Sequence, residues 1–124
     1  MRARGLGRDA PPEWFVQRKA REAEAAKLAE AKLQEIAEAK VTLKALYRRI
    51  KKAGSSGAGY GDPGHYLDRA KGCAGLALNE TKSGSSQWKV DFDRLMADAE
   101  TNLKLGLSKM ESLQRHVDDV ERRT

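Results

Sequence analysis

Between Pro11-Pro12 and Gly54 the chain contains neither glycine nor proline, and this stretch of forty-odd residues reads as one uninterrupted amphipathic helix. At ~1.5 Å per residue such a helix runs roughly 60 Å, against ~11 residues for the average helix of a globular domain. Length of that order points to scaffolding or bridging rather than pocket chemistry. Ala29, Ile36, Leu43 and Ile50 recur at heptad spacing, and Ala25, Ala39, Leu46 and Ala53 complete an apolar stripe that Leu33 and Tyr47 broaden. Because many of these positions are alanine, a facing helix can approach closely. A proline is tolerated in a first turn, where its missing N–H would be unpaired anyway, so the helix is predicted over about 12–53.

Two more helices follow. Residues 54–61 (GSSGAGYG) read as a linker, and Asp62-Pro63 as an N-cap with a first-turn proline. The short helix they open is predicted over about 63–80, with Tyr66 or Leu67, Ala70, Cys73 or Ala74, and Ala77 or Leu78 inward. Gly72 and Gly75 each cost this helix about 1 kcal/mol relative to alanine. A last helix, over about 86–123 and capped by Ser85 or Ser86, carries an apolar stripe from Trp88, Phe92 and Leu95 through Ala99, Leu103, Gly106 and Met110 to Leu113, Val117 and Val120. The step from Ala99 to Leu103 is a stutter in that repeat. Residues 1–10, with Arg2, Arg4 and Arg8, form a basic extended arm ahead of a single helical domain, 11–124.

An antiparallel register satisfies both long stripes. Ile50 opposite Trp88 sets Leu46 opposite Phe92, Leu43 opposite Leu95 and Ala25 opposite Leu113. It also sets Arg48 to Lys52 beside Asp91 and Asp93, and Arg18, Lys19 and Arg21 beside Asp118, Asp119 and Glu121. Charge and apolar pattern agree, as a specified structure requires. The expected fold is all-α, a coiled-coil-like antiparallel hairpin of long helices with the short helix inserted at its tip, and such zipped rods imply a spacer-like building block.

The chain's 124 residues make one domain, and with 34% of them charged and long apolar side chains sparse, part of the apolar surface is expected to need a partner. No window approaches 18 continuous apolar residues and no apolar segment follows the basic start. A membrane span and a signal peptide are therefore not expected; a cytoplasmic or virion-like, particle-internal setting is. There the single Cys73 is expected to be a reduced, packed thiol. The net charge of +6 is uneven: residues 1–53 carry 14 Lys/Arg against 7 Asp/Glu, whereas 86–124 carry 7 against 8. The basic half suits nucleic acid, an acidic protein surface or the chain's own acidic half.

No catalytic constellation emerges. The glycines of 57–61 follow a helix and lack a phosphate-loop context. His65, Cys73 and His116 lack metal-ligand spacing. Asp91/Asp93 and Asp118/Asp119 are neighbours that point to different helix faces, and no serine has a His and Asp constellation. Enzyme activity, a cofactor and a small-molecule substrate are not expected. Arg2, Arg4, Arg8, Lys44, Arg48, Arg49, Lys51 and Lys52 are the candidates for neutralising phosphates or an acidic surface, through backbone contact only, because neither interleaved aromatics nor a helix-turn-helix pattern accompanies them. Trp14 and Phe15 either pack on Val117 and Val120 or anchor a partner. Trp88 and Phe92 read as core beneath the short helix, at the end away from Trp14. The expected function is a non-enzymatic structural or adaptor protein docking into a larger assembly, such as a virion or similar particle. Its partners would be other subunits or a second copy. The alternative is sequence-independent nucleic-acid binding, and adsorption to an anionic membrane ranks third.

Overall fold

The computed structural model describes residues 10–55 and 62–124, and three α-helices account for the regular structure among them. They are α1 (Glu13–Lys52), α2 (Pro63–Glu80) and α3 (Trp88–Arg123). The basic arm and residues 56–61 lie outside the described residues.

Local chemistry sets the helix ends. The extended Pro12 starts α1, its carbonyl accepting the N–H groups of Phe15 and Val16 at 3.0 and 3.1 Å. At the other end Gly54, at φ +87°, allows the N–H of Gly54 to reach the Lys51 carbonyl and that of Ser55 to reach Ile50, both at 3.0 Å. This is the paired termination in which a left-handed residue satisfies the last carbonyls, and it favours glycine. Asp62 caps α2 by accepting the His65 N–H at 3.1 Å, with Pro63 in the first turn, as expected. The expected serine cap of α3 is not formed. The helix starts after Gln87 with no side-chain cap, because the Ser85 hydroxyl instead accepts the Gln87 N–H at 3.0 Å within the turn.

The long helices run in the same direction, not antiparallel. Arg18 donates to the Ser85 carbonyl at 3.0 Å, Lys32 meets Glu100 at 3.0 Å, and Arg49 meets Asp118 at 3.1 Å and Glu121 at 2.6 Å. Partner numbers rise together along both helices, which only a parallel pair allows. The reason is α2. It runs opposite to α1, with Asp68 near its start paired to Lys40 and Ala77 near its end packed with Ala25 and Ala29, so the order is up, down, up. Nor does α2 sit at a tip: it lies along both long helices, burying Leu67, Ala70, Ala74 and Ala77 between them. At a tip those residues would have nothing to cover them.

Each stripe otherwise faces inward as its spacing requires. Ile36, Leu43, Leu46 and Ile50 of α1 join Leu103, Met110, Leu113 and Val117 of α3 in the main core, with Leu67 of α2 between them. A second cluster at the other end joins Ala25 and Ala29 to Ala77, Trp88 and Phe92. Trp88 and Phe92 are thus core under α2, as expected, but at the Trp14 end. Gly106 permits the closest approach, since a Cβ there would lie 2.9 Å from Leu67 Cδ2 and 3.4 Å from the Pro63 carbonyl.

Candidate docking site

The first turns of α1 overhang the bundle. Glu22 and Ala25 are the first buried residues of the helix, so about nine residues, roughly 13 Å, precede the core. Local pairs support the overhang: Glu13 accepts from Gln17 at 3.2 Å, and Arg18 holds Glu22 at 3.0 Å, each four residues apart. Trp14, Phe15 and Val16 are consecutive, so at 100° per residue they fall on three sides of the helix, and no single neighbour can cover them. They are 64%, 38% and 46% exposed. Trp14 and Phe15 meet edge-to-face at 6.0 Å, and the Lys19 ammonium lies 5.5 Å from the Phe15 ring centre. The expected alternative, packing on Val117 and Val120, is excluded by the parallel arrangement: Val117 is buried in the Ile50 cluster, at the far end of α3.

Beside Trp14 the overhang and the start of α3 enclose a slot of about 360 Å³, lined by Trp14, Arg18, Arg21, Ser86, Trp88 and Lys89. Trp14, Arg18 and Arg21 are spaced four and three apart and so share a helix face. Trp88 is buried, edge-to-face with Phe92 at 6.1 Å. Arg18 is fixed by Glu22 through Nε and by the Ser85 carbonyl through Nη2, each at 3.0 Å. Lys89 shares its charge with Asp93 at 2.6 Å. Arg21 is exposed and has no acidic partner among the described residues. Sequence reasoning singled out Trp14 and Phe15 but missed Val16, Arg18, Arg21, Trp88 and Lys89 as neighbours of this site. Only the parallel register brings Trp88 and Lys89 to the residues of α1.

The basic candidates at the other end of α1 separate into two kinds. Arg49 is bound to Asp118 and Glu121; the hydrogen bonds it donates to Glu121 first, then the charge of Glu121 and Asp118, raise the guanidinium pKa further. The same hydrogen bond holds the Glu121 carboxyl below its usual range. The basic end of α1 therefore meets the acids of the last turns of α3 through Arg49, not Asp91 and Asp93 as expected. Lys44, Arg48, Lys51 and Lys52 are exposed and form no ion pair with a described residue. Arg2, Arg4 and Arg8 lie outside the described residues.

Two apolar grooves run between α1 and α3. One, of about 400 Å³, is lined by Leu46, Leu107 and Met110 among others, and one of about 380 Å³ by Leu28, Phe92 and Met96. Lys32 bridges to Glu35 and Glu100 in this seam; burial works against its charge, but hydrogen bonds to Glu100 and Glu35 outweigh it and raise its pKa. Among the described residues no three His, Cys, Asp or Glu side chains converge as a metal set, and no helix is long and apolar enough to cross a membrane.

The chain matches no family model, no curated protein and no solved structure.

Proposed function

We propose that this is a non-enzymatic adaptor or structural protein that docks into a larger assembly through the projecting start of α1. The observation that carries the reading is the overhang, where Trp14, Phe15 and Val16 are exposed on three sides of the helix ahead of its first buried residue. Large aromatic side chains bordered by arginine are the residues that dominate protein interfaces, and a partner that covers the part left in water gains a fraction of the about 1.5–3 kcal/mol that full burial of such a side chain gives. The reading does not rest on zipped antiparallel rods, and the spacer-like building block that geometry implied is given up. A cytoplasmic or particle-internal setting, a virion among them, goes with this reading.

The test is a paired measurement on the full chain. Trp14→Ala/Phe15→Ala should retain helicity and melting temperature, since both side chains are exposed, while partner recovery or self-association by light scattering falls at least ten-fold. Unchanged association by a folded double variant would sink the proposal.

A second reading, sequence-independent nucleic-acid binding, draws on the cations at the other end of α1. Lys44, Arg48, Lys51 and Lys52 lack acidic partners among the described residues, whereas Arg49 is neutralised by Asp118 and Glu121. Binding to DNA or RNA should then weaken steeply between about 50 and 200 mM salt, and charge reversal at Arg48 and Lys51 should flatten that slope. Association through Trp14 and Phe15, by contrast, should survive the added salt.

A further inference from the structure

We propose that the slot between Trp14 and Trp88 receives an acidic peptide segment of a partner protein, anchored by one bulky apolar side chain. The inference rests on the docking reading above and gives it a chemistry. The slot has an apolar floor and wall, the buried Trp88 and the exposed Trp14, and its about 360 Å³ suits a single large side chain with its flanks. Its rim is cationic. Arg21 has no acidic partner among the described residues, Arg18 is pinned in place by Glu22 and the Ser85 carbonyl, and Lys89 stands at the entrance of α3. Two acids pair with this rim: Glu22 is 7% exposed and closed off by Arg18 and Lys19, and Asp93 holds Lys89 at 2.6 Å, which leaves Arg21, among the described residues, as the cation free to meet a ligand. Because α3 starts without a side-chain cap, the positive end of its dipole adds to the same rim, offset in part by Asp91 in the first turn.

These charges favour a peptide over a nucleic acid. Single-strand binding sites run to about 4–16 nucleotides along a continuous cationic track with several stacking faces. Here Glu13 and Glu24 interrupt α1 on either side of the slot, Asp93 shares Lys89, and of the two rings that line the slot only Trp14 is exposed. A carboxylate on the free Arg21 fork needs no such track, since two parallel hydrogen bonds fix it.

The probes are a labelled glutamate-rich peptide with a central Phe-Leu pair, its lysine-for-glutamate counterpart, and oligothymidylate, titrated against the full chain by anisotropy. The Trp14 indole N–H is followed by NMR. The acidic peptide is expected to bind and shift Trp14, to lose on the order of ten-fold in affinity with Arg21→Gln, and to lose all binding with Trp14→Ala; the basic peptide is expected not to bind. Arg21 is exposed, so its variant should fold. Equal binding of both peptides, undiminished binding by Arg21→Gln, no binding of the acidic peptide, or a Trp14 shift with oligothymidylate alone would each overturn the proposal. If Trp14→Ala/Phe15→Ala abolishes association while the acidic peptide fails to bind, the docking reading stands and this one falls.

Discussion

Gly106 shows how much one hydrogen atom decides. Alanine is the better helix former by about 1 kcal/mol, so propensity alone favours Gly106→Ala. Space opposes it: the new Cβ would lie 2.9 Å from Leu67 Cδ2 and 3.2 Å from its Cγ, and Leu67 is fully buried and cannot swing away. Overpacking of this kind costs about 1–3 kcal/mol, so chemical denaturation should find Gly106→Ala less stable than the parent. Charge effects at this scale are weaker. The hydrogen bond from Lys40, then its charge, holds the Asp68 carboxyl below its usual range, and Arg49 does the same for Glu121. A carboxyl depressed in the folded state adds stability above its unfolded pKa and loses it as pH falls through the folded value. Melting temperature should therefore fall below about pH 4–5, and Asp68→Asn/Glu121→Gln should flatten that acid limb. The change will be small, because these pairs lie at the surface, where water screens them.

Among the helices, α2 has the least apolar surface to hold it. Three of its five buried residues are alanines, which leaves Leu67 and Pro63 to supply the bulk. It also carries Gly72 and Gly75, where an added Cβ would meet nothing within 4 Å. Gly72→Ala and Gly75→Ala should thus each stabilise the protein by about 0.5–1 kcal/mol, measured by denaturant midpoint, the opposite sign to Gly106→Ala. The bounds of α2 were legible in the sequence because Asp62-Pro63 is a local signal, and its inward face was legible to within one position: spacing allowed Tyr66 or Leu67, Cys73 or Ala74, and Ala77 or Leu78, of which packing buries Leu67, Ala74 and Ala77. The start of α3 was less so. Ser85 and Ser86 are both good capping types, and the choice of Ser85 to brace the turn depends on a hydrogen bond that composition does not encode.

For the molecule as a whole, direction was the property hidden from the sequence. Ile50 fits opposite Trp88 or beside Val117 about equally well, because heptad stripes match in either direction. Charge could not choose, since acids stand at both ends of α3: Asp91 and Asp93 at one, Asp118 and Glu121 at the other. What decided it was the third helix, whose apolar face needs both long helices as cover. The docking slot was illegible for the same reason, as Trp14 and Trp88 become neighbours only when α1 and α3 run together. Spin labels at Lys52 and Arg122, in a Cys73→Ser background, should report a separation under roughly 20 Å, whereas an antiparallel pair would hold them roughly 50 Å apart.

An odd number of passes also gives the bundle a head and a tail. Trp14 projects beyond the start of α3, and Thr124 closes its other pole, the length of a 36-residue helix away. A cargo or reporter fused after Thr124 would trail behind whatever grips Trp14, leaving that handhold free, while a bulky fusion ahead of Pro11 would crowd it.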